Sequence, residues 1–413
     1  MRILVTGKGG REHALVTTLA RSAASPTLFA WPGSDAMEPL ARRVSAPDLE
    51  GLVEWMVQEG VDLCVVGEEQ ALAEGLADLC RSAGIQAWGP GRDAARLESS
   101  KLFAKEFLIR HKIPTGWARE EGEIDDLRAA VESFPAVLKF DGLAAGKGVS
   151  VCLDEQDVEE FIDRAMVQKT FGPGRVFIEE FLEGPEVSVI CAVTDDGYHA
   201  FPAARDYKRQ LDGDQGPNTG GMGAVASQNL LSAHLLKEIE SNVLNPTVAA
   251  IRADGLEYRG FLYFGIILTD TGPKVLEFNC RFGDPEAQAV LPLVGGDFAS
   301  YLSAASGGRI DRSLISFSND WSVAVVVASR DYPRKSGRGE MIDGLQDVEH
   351  GAVFHSGTAR DEKGRFVVDG GRVLAAVCQG GAREEARDLA YIALSAIRFD
   401  GSQYRSDIGS LHF

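Results

Sequence analysis

Apolar and polar positions along the first hundred residues follow a strand–helix rhythm. Short apolar runs, "ILV" at 3–5, "LFAW" at 28–31, "LCVV" at 63–66 and "IQAW" at 85–88, read as strands. Between them the amphipathic stretches 10–23, 48–60 and 69–84 read as helices with one apolar face. Strands buried on both faces and alternating with helices predict a parallel sheet covered on both sides. Ligands of such sheets sit beyond the carboxyl ends of the strands, which fall here at 7–11, 32–34, 67–70 and 89–91.

The pattern then changes. A helix over 99–112 and the break "IPTGW" lead to a small α+β module from Pro135 to about Phe181, with a helix over 155–168. Strands dominate again from 184 to 308, around a polar loop at 204–224. The remainder carries the strands "SVAVVVAS" and "RVLAAVCQG" and a helix from Ala382. Expected segments are therefore 1–100 (parallel α/β), 101–190 (linker and small lid module), 191–308 (large module) and 309–413 (small mixed domain). The fold class is α/β and α+β multidomain.

A chain of 413 residues is too long for one core. The formal charge of −19, from 42 basic and 61 acidic residues, argues against a nucleic-acid surface. Six scattered cysteines without a C-x-x-C pair predict reduced, buried thiols. The seven histidines form no ligand spacing. With no signal-peptide core and no membrane-spanning run, the expectation is a soluble, cytoplasmic protein that binds neither nucleic acid nor membrane.

The chemistry-bearing stretches differ in strength. "GKGGREHA" (7–14) fails the dinucleotide fingerprint because the third glycine would fall at Glu12. A glycine turn entering a helix still offers backbone N–H groups to an anion, or is simply a tight turn. "DGLAAGKGV" (141–149) fails as a Walker A loop: its spacing is one residue short, and Gly148 replaces Ser or Thr. Strands on both sides make it instead a flexible loop able to cover phosphates, with Lys139 and Lys147 as point charges. "IEEFLEGPE" (178–186) fits either an adenine- and ribose-reading edge or an exposed acidic turn. "EFNCRFGDPEAQ" (277–288) is the sharpest signal. Glu277, Asn279 and Arg281 at i, i+2 and i+4 share one strand face. Two hard oxygen ligands suit magnesium beside nucleotide phosphates, and the guanidinium suits a transferring phosphoryl group. The competing reading is a Glu–Arg pair bridging along the strand.

Taken in order, "GKGGREHAL", "SSKLFAKEFL", "KFDGLAAGKGV", "IEEFLEGPEVS", "GPNTGGMGA", "EFNCRFGDPE" and "GGRVL" resemble the glycinamide ribonucleotide synthetases (phosphoribosylamine–glycine ligases) of the ATP-grasp superfamily. The resemblance covers essentially the whole chain. It implies an N-terminal pre-ATP-grasp domain with the amine pocket, an ATP-grasp core of two α+β modules and a small C-terminal domain. The reaction implied joins glycine to 5-phosphoribosylamine through a glycyl phosphate, with ATP and Mg2+ (or Mn2+). By the same resemblance, Lys105, Lys139, Gly146 and Lys147 hold ATP phosphates. Glu179, Glu180, Phe181 and Leu182 read adenine, and Glu186 the ribose. Glu277 and Asn279 hold the metal, and Arg281, Lys208 and Asp284 are catalytic. Gly9, Gly10, Arg11, Glu69, Asp206, Asp212, Asp214 and Gly283 contact glycine or the amine. A monomer or weak dimer is expected.

Departures from the family pattern cluster near the acceptor: Lys8, Ser34, Glu68, Gln70 and Ala71, with Tyr207 further on. Lys8 and Glu68 both follow strand ends, so they are expected to be neighbours that pair or reshape the amine pocket. A paralogue using another amine or amino acid is the alternative that these departures raise.

Overall fold

In the computed structural model, which describes residues 1–121, 123–142, 144 and 148–410, the N-terminal rhythm becomes a parallel sheet. Its order is Arg42–Arg43, Thr27–Pro32, Arg2–Gly7, Leu63–Val66, Gln86–Trp88. Every pairing is parallel, and Ile3, Leu4 and Val5 of the central strand are fully buried. Local signals set the helix ends. Asp48 accepts the Gly51 N–H at 2.8 Å to start the helix Leu49–Glu59, and Gly60 in the left-handed region stops it.

Two helices depart from the pattern. The stretch 69–84 is split, because Gly75 adopts φ 88° between the helices Glu69–Glu74 and Leu76–Ser82. An unanticipated helix, Arg92–Ser99, buries only Ala94, Ala95 and Leu97. Next to it, Lys101–Arg110 forms as expected and is capped by Ser100, whose Oγ accepts from the Phe103 N–H at 3.1 Å.

The small module is a four-stranded antiparallel sheet in the order Ala118–Glu120, Arg175–Glu179, Ala136–Asp141, Val149–Cys152. It has its own core, with Leu127, Leu138, Phe161 and Ile178 buried together. The helix expected over 155–168 is α-helical only to Ile162 and ends in a π-helical turn, Asp163–Val167.

The third and fourth segments share one nine-stranded sheet. Its order is Gly272–Asn279, Gly260–Thr269, Glu186–Thr194, Ala203–Asp206, Gly223–Ser227, Trp321–Ala328, Arg372–Gly380, Ala352–His355, with Gly197–Ala200 on the third strand. All its pairings are antiparallel. The stretch 204–224 is no plain loop: it holds parts of two of these strands and the hairpin Arg209–Leu211/Gln215–Asn218. Among the described residues no helix is long and apolar enough to cross a membrane.

Candidate active site

The strand Gly272–Asn279 lies where the modules meet. Gly265 pairs with Glu277 and Ile266 with Val275, so Leu276 is an extra, bulged residue. The bulge lets Val275 and Phe278 both reach the core while Glu277 and Asn279 share the other face. The small module grips this strand. Lys139 Nζ donates to the Leu276 carbonyl at 3.3 Å. Lys105 Nζ donates to Thr115 Oγ1 at 2.6 Å, and Thr115 in turn donates to the Val275 carbonyl at 2.7 Å.

Both lysines also converge on Glu179, which is 3% exposed: Lys105 on Oε1, Lys139 on Oε2. Lys139 and Glu179 are diagonal neighbours on adjacent strands, since Val137 is the residue directly opposite Glu179. Burial lowers the Lys105 pKa, against the pull of Glu179. Glu179, expected to read adenine, is thus enclosed between two cations. Glu180 holds the neighbouring edge, accepting from the Trp117 N–H at 3.1 Å. Phe181 is exposed, and Leu182 lies beside Gly116. Gly146 and Lys147 lie outside the described residues.

A second cluster surrounds Lys208, which binds the Glu186 carboxylate and has Asp206 at 4.0 Å. The Lys208 charge lowers the Glu186 pKa. Burial pushes Asp206 up to about 7, and Glu286, Glu186 and Glu277 add to the rise against the opposing Lys208. Ser188 joins in, 2.9 Å from the Tyr263 hydroxyl and donating to Glu286 Oε1 at 3.0 Å.

The third cluster joins the N-terminal domain to the strand end. Glu69 Oε2 lies 3.5 Å from Arg11 Nη2 and 3.4 Å from Arg281 Nε. Burial alone would raise the Glu69 pKa, but Arg281 and Arg11 bring it down to about 2. Arg11 also pairs with Glu12 at 2.5 Å, and Arg281 with Glu98 at 2.7 Å. The glycines are needed for close approach. Gly7 sits at φ 110°, and a Cβ there would meet Glu12 Cγ at 2.5 Å. A Cβ on Gly10 would come within 2.4 Å of Gln288 Nε2 and 2.5 Å of Ser356 Oγ. Gly9 faces Asp284, which accepts from Gln288 at 2.8 Å and pairs with Arg372 at 3.3 Å. At Gly283 any Cβ would strike Glu286.

Two expected substrate contacts do not join these clusters. Asp212 accepts from the Ser406 N–H at 2.8 Å, and Asp214 pairs with Arg405 at 2.7 Å. Both lie at the exposed tip of the hairpin, drawn there by the buried Arg405 and its segment. The acceptor-side departures also resolve in part. Tyr207 is buried, with its hydroxyl accepting from the Gly409 N–H at 3.1 Å and Arg405 over its ring at 5.0 Å. Gln70 donates to Glu74 on the helix surface, while Ala71 and Ser34 are buried. No ion pair joins Lys8 and Glu68 among the described residues; burial and Glu12 push Glu68 up to about 7.

Sequence reading missed Glu98, Lys101, Glu286 and Arg372. Lys101 Nζ donates to the Gly142 carbonyl at 3.0 Å, and Ser100 Oγ to Asp141 at 3.0 Å, tying a helix start to the glycine loop. Lys101 lies four residues before Lys105, and that spacing on one helix face was the available signal.

For a metal, Glu277 and Asn279 present oxygens on one face. With its amide assigned so that the NH2 rather than the C=O faces the carboxylate, Asn279 donates to Glu98 Oε1 at 3.1 Å and to the Phe278 carbonyl at 3.3 Å, and its carbonyl oxygen is turned away from Glu98. Among the described residues no three His, Cys, Asp or Glu form a metal cage. Magnesium asks for no such cage, since it is bound by one or two carboxylates with substrate phosphates and water. The donor set fits that mode.

A strand end of the large module met by the small module on one side and the N-terminal domain on the other is the setting of an ATP-grasp enzyme, and residues 99–287 match an ATP-grasp domain model. The biotin carboxylase domain of Hydrogenobacter thermophilus 2-oxoglutarate carboxylase shares the fold at a TM-score of 0.74 and 17% identity, over 97% of this chain and 91% of that one. The chain belongs to the phosphoribosylglycinamide synthetase family, matching its N domain over residues 1–98, its ATP-grasp (A) domain over 99–287 and its C domain over 322–411. It is 39% identical to the phosphoribosylamine–glycine ligase of Caldanaerobacter subterraneus, over 99% of this chain and all of that one. Identity to the Neisseria meningitidis serogroup A enzyme is 41%, over 99% and 98%. The crystal structure of the Thermotoga maritima ligase superposes with a TM-score of 0.86 at 32% identity, over 99% and 100%.

Proposed function

We propose that this chain is a phosphoribosylamine–glycine ligase: it joins glycine to 5-phosphoribosylamine at the expense of ATP, giving glycinamide ribonucleotide, ADP and phosphate in purine biosynthesis. One observation carries the reading. Glu69, just past a strand end of the N-terminal sheet, bridges Arg11 of that domain at 3.5 Å and Arg281 at the ATP-grasp strand end at 3.4 Å. An amine seated on the N-terminal domain therefore lies beside a carboxylate activated at the ATP-grasp strand end.

The residues divide the work. Lys105, Lys139 and Lys101 supply cationic charge where the glycine loop begins, which suits ATP phosphates. Glu277 and Asn279 would hold Mg2+, with Mn2+ an alternative for the same oxygens. When bound, the ion draws negative charge from the phosphate oxygens. Arg281, held between Glu69 and Glu98, directs its remaining N–H groups at the phosphoryl group as glycine becomes an acyl phosphate. Gly9, Gly10, Arg11 and Glu69 shape the amine pocket, and Asp284, held by Arg372 and Gln288, borders it.

The test is ADP release with glycine and freshly made 5-phosphoribosylamine, each omitted in turn. ADP formation that requires both is the expected outcome. Release that needs neither would sink the proposal, and release with a different amine would favour a paralogous substrate.

A further inference from the structure

Glu98 stands on the helix that the sequence pattern did not reveal. Its carboxylate is buried, with 7% of the side chain exposed. Its two oxygens meet three consecutive residues of the strand end. Oε1 accepts from Arg281 Nη2 at 2.7 Å and, with the Asn279 amide assigned NH2 toward the carboxylate, from that amide at 3.1 Å. Oε2 accepts from the Cys280 backbone N–H at 2.7 Å.

We propose that Glu98 is a positioning residue that sets the metal-holding oxygen of Asn279 and the guanidinium of Arg281 in one geometry. The reason is chemical. An ionised carboxylate only accepts hydrogen bonds, so Asn279 must offer it the NH2 group. The amide oxygen is then left on the face it shares with Glu277. The same oxygen takes one arm of Arg281, and Glu69 stands beside its Nε. Oε2 anchors the backbone between the two, so neither side chain can turn without breaking a buried hydrogen bond. Buried outer partners of this kind orient metal-holding groups and are costly to alter. The proposal rests on the ligase reading above for its catalytic half. Its metal half does not need the amine substrate.

Glu98→Gln tests it in the full-length enzyme. Glutamine keeps the size but offers both NH2 and C=O, so it no longer dictates which way Asn279 faces, and it brings no charge to Arg281. Calorimetric titration with ADP, without and with Mg2+, reads the metal directly. The expected result is unchanged binding of metal-free ADP, with the Mg2+-dependent gain in affinity reduced about 10-fold or more. In turnover, kcat falls about 10–100-fold and half-saturating Mg2+ rises, while Glu98→Asp, which keeps the charge, recovers part of both. A variant that melts earlier yet keeps the parental Mg2+-dependent gain overturns the proposal and leaves Glu98 a packing residue. If Glu98→Gln does not fold, Glu98→Asp carries the same titration: its carboxylate, one methylene shorter, cannot span Arg281, the Cys280 N–H and Asn279 together, so an intermediate Mg2+ gain is expected and a fully parental one overturns the proposal. Failure of the parent to need 5-phosphoribosylamine would sink the substrate reading alone, since the ADP titrations use no amine.

Discussion

Two charged regions grip the same strand end and are built on opposite rules. On the small-module side, two buried lysines share a single carboxylate, Glu179. On the N-terminal side, two arginines meet three carboxylates: Glu12, Glu69 and Glu98. The lysine side is left with excess positive charge on flexible stems, which can shift toward an incoming anion. The arginine side is more than neutralised, and its planar forks are held from several directions. A polyanion belongs at the first, whereas the second holds reacting groups in fixed positions. The site thus separates charge supply from orientation.

The sharpest way to break this comparison is Glu179→Ala. Removing the shared carboxylate leaves two ammonium groups buried side by side with no carboxylate paired to them, Glu180 and Glu186 acting only from further away. Loss of one partner from a buried ion pair costs about 3–5 kcal/mol. Urea denaturation should show a loss of that order, and added ATP should recover much of it by placing phosphates against the lysines. A loss below about 1 kcal/mol would mean that the lysines swing to water and that the region is no charged cradle.

On the arginine side, the first turn of the helix Gly10–Ala20, which carries Arg11, is anchored through His13. His13 Nδ1 accepts from the backbone N–H of His355 at 3.0 Å, and its ring meets the edge of Phe354 at 5.7 Å. Burial holds the His13 pKa down at about 4, and burial with help from His13 holds His355 at about 3. Both histidines are therefore neutral when folded, while the unfolded chain takes up protons below about 6.5. Stability is fully present above that pH and is lost as pH falls toward 4. The His13 share is on the order of 3 kcal/mol. His13→Asn, which retains an acceptor for the His355 N–H and cannot titrate, should make the pH 6.5-to-4 segment of the unfolding curve shallower, with His355 leaving a residual slope. An unaltered slope would mean that His13 charges without opening this contact.

How much of this was legible depends on what each residue does for the core. The parallel strands were readable because burial on both faces writes a continuous apolar run, as in "LCVV". Glu277, Asn279 and Arg281 stood out because polar groups at strand spacing need a reason. Glu98 was hidden because its helix buries two alanines and one leucine, too little for a periodic signal. The hairpin at 209–218 was read as loop because its strand Gln215–Asn218 is exposed throughout and so has no alternation. The joining of Trp321–Ala328 to Gly223–Ser227 pairs residues about a hundred positions apart, and local pattern does not encode such a pairing.

The smallest effect expected comes from outside both regions and checks where their boundary runs. Asp214 pairs with Arg405, but Arg405 also holds Asp407 at 2.6 Å, so its buried charge keeps a partner if Asp214 is neutralised. Asp214 is itself 54% exposed on its side chain, where water screens the pair. Its backbone sits at φ 54°, a conformation that asparagine tolerates, so Asp214→Asn removes the charge without new strain. The loss of stability should stay below about 1 kcal/mol. The KM for glycine and kcat should match the parent, because the hairpin tip is committed to the C-terminal segment. A large rise in the glycine KM would return Asp214 to the substrate set and require the hairpin to fold over the site during turnover.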